Sequence, residues 1–137
     1  MAEAVFAQKV HTAGLSDMIE VDSAGTGDWH VGAAPHHGTR RILAKYAIAR
    51  EHRARQIVAS DLLKFDYVLT MDDDNLRIVR AMDPSCEKVE PFLAYAPTSG
   101  YTEVPDPYYT GNFDEVYGLV SAASDGLLTA IRRRYTV

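Results

Sequence analysis

Only one cysteine, Cys86, occurs in the 137 residues, so no internal disulfide is available and the chain reads as belonging to a reducing, cytoplasmic compartment. No apolar run approaches the ~18 residues that a membrane span needs, and no basic stretch followed by an apolar signal core opens the chain. A stripe of Lys and Arg interleaved with aromatics is also absent. With 14 basic residues against 19 acidic ones and a formal charge of -5, a nucleic-acid surface is not expected, and neither is a membrane partner. The one dense basic run, Arg132 to Arg134, closes a predicted helix, where cations suit the negative end of the helix dipole. Repeats and low-complexity tracts are missing too. What is present is the composition of one globular domain over residues 1–137, with 47% apolar residues to build its core.

Periodicity divides the chain into helices and strands. Ala2, Val5, Phe6, Val10 and Ala13 recur at helical spacing and predict a helix over 2–13. Ile19 to Ala24 reads as a short strand ending in Gly25 and Gly27, where backbone can turn sharply or approach a ligand. A helix is expected over about 37–49, with Ile42, Leu43, Tyr46 and Ala47 on its packed face. Ser60 is placed to cap a brief turn through Leu63, and Tyr67 to Met71 has the continuous apolar character of a strand buried on both faces. Asp72, Asp73 and Asp74 open a helix to about Ala81, and Val89 to Tyr95 is a third strand candidate. The longest helix is predicted over 113–133, with Asn112 and Glu115 spaced as a capping box. Alternating helices and strands imply an α/β fold of three layers, α/β/α, around a parallel sheet.

Asp106-Pro107-Tyr108-Tyr109 lies in a Pro-rich loop before that long helix. Pro107 restricts Asp106 to extended backbone, which suits a carboxyl held out over a cleft. Beside two tyrosines, such a carboxyl fits an aromatic substrate whose leaving oxygen needs a proton; alone, the string also fits an ordinary turn. Trp29, after the first strand, stands either at the rim of a pocket or in the core. The aspartate triplet reads as charge compensation at a helix start, since no Gly or distant Glu completes a calcium loop. His30, His36, His37 and His52 lack metal-ligand spacing, so neither a metal nor a cofactor is expected. Cys86 is followed by Glu87, Lys88, Val89, Glu90 and Pro91, neither Gly-rich nor succeeded by Arg, and reads as an inert thiol.

Met1-Ala2-Glu3-Ala4-Val5-Phe6, Val21-Asp22-Ser23-Ala24-Gly25-Thr26, Ala54-Arg55-Gln56-Ile57, Phe65-Asp66-Tyr67-Val68-Leu69 with Met71-Asp72, and Asp106-Pro107-Tyr108-Tyr109, read in order, resemble the low-molecular-weight protein tyrosine phosphatases. The resemblance spans the chain. It implies a four-stranded parallel sheet and metal-free hydrolysis of phosphotyrosine proteins or small aryl phosphates through a cysteinyl-phosphate. It further implies that Asp106 is the general acid, that Tyr108 and Tyr109 wall the aromatic slot opposite Trp29, and that Ser23 and His52 brace the phosphate loop.

One departure stands out: the family's Cys-x5-Arg stretch and the central strand before it have no match here. The expectation is therefore a chain that begins just after the phosphate loop at an internal methionine, inactive as it stands, marginal in stability, and association-prone along strands 19–24 and 67–71. A noncatalytic phosphatase-like binding module is the alternative reading, and arsenate reduction, which needs further thiols, a weaker one.

Overall fold

In the computed structural model, residues 1–27, 32, 37–50, 54–105 and 111–137 are described. The first helix, α1, covers Ala2–Thr12 and ends where Gly14 adopts a positive φ of 75°. Helix α2 covers His37–Lys45, ending earlier than its periodicity predicts because Ala47 turns into the left-handed region at φ 56°. Helix α3, Ala59–Lys64, starts before the expected Ser60 cap; the Asp61 carboxylate instead accepts the Val58 N–H at 2.9 Å. Strand β1 is Val68–Thr70 and helix α4 is Asp73–Met82, which starts in the aspartate triplet as expected; its N-cap, Asp72, accepts the Asn75 N–H at 2.7 Å.

Strand β2, Val89–Pro91, is shorter than the predicted Val89 to Tyr95. Pro91 has no N–H to extend the ladder, and Phe92–Tyr95 tightens into a 3-10 turn that drops Phe92 and Leu93 into the core. A second 3-10 turn, Pro97–Ser99, precedes Gly100. Helix α5 runs Phe113–Tyr135. Its Asn112 N-cap makes no side-chain cap bond, so the expected capping box is not formed; Glu115 accepts the Tyr101 hydroxyl at 2.5 Å instead.

β1 and β2 pair in parallel, Val68 opposite Val89. Alternation along β1 divides the core. Leu69, with Tyr67 and Met71, meets the larger cluster built by α1, α5 and the first 3-10 turn, around Val5, Phe6, Phe92, Val120, Ala123 and Leu127. Val68 meets the smaller one, Leu62, Val79 and Val89, under α3 and α4. Helices thus cover both faces of a short parallel sheet, the α/β layering expected.

The predicted strand Ile19 to Ala24 does not join that sheet. Among the described residues, this segment ends in a single parallel bridge, Gly25 opposite Gln56, with Gly25 N–H on Arg55 O and Ile57 N–H on Gly25 O, each 2.8 Å. Between it and β1 runs a groove of about 910 Å³, walled by residues 18–26 on one side and 64–72 on the other. Its floor is apolar, with Phe92, Val116, Val120, Leu127 and Ile131. Among the described residues no strand lies across this gap, so the extended segment has no ladder to complete on that side.

Candidate active site

The groove opens at the head of α1. Met1, Ala2 and Glu3 line it together with Ser23, Ala24, Gly25 and Thr26. The first N–H groups of a helix have no intrahelical acceptor, so this end of α1 presents donors and the positive end of a dipole to the groove mouth.

Glu3 organises that mouth. Its side chain is only 5% exposed; one oxygen takes the Arg50 Nε–H at 2.7 Å and the other the Ser23 hydroxyl at 3.0 Å. Arg50 also donates to Val21 O at 2.8 Å, which ties the 19–25 segment to the helix. A carboxylate with a guanidinium and a hydroxyl on it is well compensated for its burial. Farther along, Arg55 bridges Asp22 at 3.0 Å and Asp61 at 2.9 Å. The Arg55 hydrogen bond holds the Asp61 carboxyl below its ordinary value, against the opposing effect of burial.

The chain before Asp106 is anchored to the same region. Val104 N–H donates to Met71 O at 2.8 Å, just past β1, and the Glu103 carboxylate accepts the Asp73 N–H at 2.7 Å at the start of α4. Val104 and Pro105, on one side of the Asp106 string, line the groove, and so does Phe113 on the other side. The Phe113 ring lies so close to the Gly38 backbone that a Cβ at Gly38 would stand 2.2 Å from it, so the glycine makes room for the ring where α2 meets α5.

Of the residues singled out from sequence, Ser23 is in this mouth, bonded to Glu3. Asp106, Trp29, Tyr108, Tyr109 and His52 lie outside the described residues, as do His30 and His36. Cys86 packs against the smaller core cluster, and the residue at the Arg position of a Cys-x5-Arg motif begun there is Phe92. No group of three or more His, Cys, Asp or Glu suited to a metal is found among the described residues, and no described helix is long and apolar enough to cross a membrane. Sequence reasoning missed Glu3, Arg50, Arg55, Glu103 and Tyr101. Each acts through a partner distant in the chain, for which local spacing carries no signal.

The low molecular weight phosphotyrosine protein phosphatase family model matches residues 1–137. The chain is 40% identical over 136 residues to the Bacillus subtilis low molecular weight protein-tyrosine-phosphatase YfkJ, covering 97% of this chain and 87% of that protein. It is 41% identical over 141 aligned positions to the Streptomyces coelicolor low molecular weight protein-tyrosine-phosphatase, covering 98% and 86%. The crystal structure of YfkJ superposes with a TM-score of 0.94 over 97% of this chain and 86% of that one. With a family model matched from end to end and two phosphatases at this identity, the chain belongs to the low molecular weight phosphotyrosine protein phosphatase family.

Proposed function

We propose that Asp106 is the general acid in phosphotyrosine hydrolysis at the mouth formed by the head of α1 and the Ser23 to Thr26 segment. Tyr108 and Tyr109 flank the aryl group with Trp29 opposite, and Ser23 and His52 brace the phosphate-binding loop. The carrying observation is that residues on both sides of the Asp106 string, Pro105 and Phe113, line the same groove as Met1 to Glu3. Within that setting a carboxylic acid beside the bridging oxygen donates its proton as the P–O bond breaks, and as carboxylate it then takes a proton from the attacking water. The donors at the head of α1 suit a phosphoryl group, whose charge they oppose.

A sulfur nucleophile and a guanidinium complete this reaction: the thiolate attacks phosphorus, the phenol departs with the Asp106 proton, and water releases phosphate from the thiophosphate. The 137 residues hold no Cys-x5-Arg stretch, so our reading is that such a stretch joins the head of α1 in the working enzyme. A cytoplasmic setting fits a chemistry that needs a reduced thiol. Phosphotyrosine proteins and small aryl phosphates are the substrates this reading implies.

Aryl phosphate hydrolysis tests it. The chain of 137 residues alone should release no phosphate. Reading the nucleotides ahead of the Met1 codon in frame should reveal Cys-x5-Arg, and in the protein that includes it Asp106→Asn should slow turnover by about 100-fold. Turnover by the 137 residues that disappears in Cys86→Ser would transfer the nucleophile to Cys86, and an unchanged rate in Asp106→Asn would remove the acid.

A further inference from the structure

The loop that carries Asp106 leaves the 3-10 turn at Pro97–Ser99 through Gly100, whose φ is 82°, and reaches Asp106 only after being fastened at successive residues. Tyr101 donates its hydroxyl to Glu115 on α5 at 2.5 Å. Glu103 accepts the Asp73 N–H at 2.7 Å, and Val104 donates to Met71 O at 2.8 Å. Asp73 is the first residue of α4, so its N–H has no acceptor within the helix, and Asp72 already spends its carboxylate on Asn75. Glu103 therefore supplies from another part of the chain a cap that α4 does not supply itself. A carboxylate also suits the positive end of the α4 dipole, which offsets the like charges of Asp72 and Asp74 in the same cleft.

Two residues, Val104 and Pro105, separate this cap from Asp106, a reach of at most ~11 Å of extended chain over three steps. The anchor thus sets the origin from which the acid is delivered. Without the Asp73 cap this stretch keeps the Val104 main-chain bond and the contact of the exposed Tyr101 but loses its tie to the head of α4.

We infer that Glu103 is a positioning residue for the general acid: by capping Asp73 it ties the chain leading to the acid to the head of α4, without itself touching substrate. This rests on the assignment of the acid to Asp106. A misplaced acid slows departure of a poor leaving group far more than of a good one, because only the poor one needs the proton early.

The test compares two substrates on the reading frame that carries Cys-x5-Arg: the phosphate ester of a weakly acidic phenol and that of a strongly acidic nitrophenol. Glu103→Ala should lower kcat for the first by about 10-fold and for the second by less than about 2-fold, with KM little changed. Glu103→Gln, which keeps a carbonyl acceptor for the Asp73 N–H, should recover most of the loss. In the 137-residue chain, Glu103→Ala should speed hydrogen exchange at the Asp73 amide while Glu103→Gln should not. Equal slowing of both esters by Glu103→Ala, or a Gln variant as impaired as Ala, would overturn the inference while leaving Asp106 in place. If Asp106→Asn itself fails to discriminate between the two esters, both assignments fall together.

Discussion

Gly126 is the position where one added methyl group should do the most damage. It lies in α5 where the helix crosses the first 3-10 turn, and a Cβ there would stand 2.0 Å from the Tyr95 carbonyl oxygen and 3.0 Å from its carbon, where ordinary contact begins at 3.4 Å. The obstacle is backbone, which cannot rotate away. Either α5 or the Phe92–Tyr95 turn must move, and that turn holds Phe92 and Leu93 at 3% exposure each. Alanine gains ~1 kcal/mol over glycine in a helix interior, while forcing a methyl into a packed interface costs ~1–3 kcal/mol and sometimes more. With backbone on the far side the upper end applies, for a net loss of about 2 kcal/mol. In a domain of this size that lowers Tm by roughly 6–8 °C. Gly118 supplies the internal comparison: it is in the same helix and nothing lies within 4 Å of a Cβ built on it. Gly118→Ala should gain the ~1 kcal/mol of propensity alone and raise Tm by roughly 3–4 °C. Thermal unfolding followed by circular dichroism on both variants decides the matter. A Gly126→Ala variant that melts at or above the parent would refute the close crossing of helix and turn.

Three further outcomes are expected. Arg50→Ala should destabilise by about 1–2 kcal/mol in urea unfolding, because Glu3 stays buried with one charged partner gone, and Glu3→Gln added to it should recover part of that loss; full additivity would show the pair uncoupled. The Asp61 carboxyl has its folded value depressed, so the stability it adds is complete above its ordinary value of 3.8 and is lost as pH falls through the lower folded value. Acid titration of stability should therefore be shallower below pH 3.8 in Asp61→Asn, and an unchanged slope would count against the Arg55 contact. The 137-residue chain should gain weight-average mass in sedimentation as concentration rises, through the backbone edges that face the groove; a cooperative melt with a constant monomer mass would contradict this.

Where sequence and structure agree, the decisive signals are local. The apolar period through Val116, Val120, Leu127 and Ile131 marks α5, the aspartates at 72–74 mark the start of α4, and the apolar run around Leu69 marks β1, each a signal contained within a short stretch of chain. Where they part, the deciding partner is remote. Ile19 to Ala24 has strand character but no ladder, because a strand is made by its neighbours; Val89 to Tyr95 is cut by Pro91; Glu115 serves Tyr101 and not its own helix. The same division runs through the mouth of the groove. Ser23 is singled out by its string, and the structure shows its bond to Glu3; the contacts of Glu3, Arg50 and Glu103 arise only when folding brings Ser23, Val21 and Asp73 to them.

In most α/β domains a central parallel strand is the last part to open, because it is hydrogen-bonded along both flanks. Here β1 is sandwiched between two apolar clusters yet, among the described residues, laddered to β2 alone, while the turns of α1 and α5 are bonded within each helix. Rank order in amide deuteration should consequently run backwards from the usual one, with the middle of α5 around Ala123 exchanging last and Val68 to Thr70 ahead of it, so that resistance to unfolding resides in the helical layer and the sheet is the first to give way.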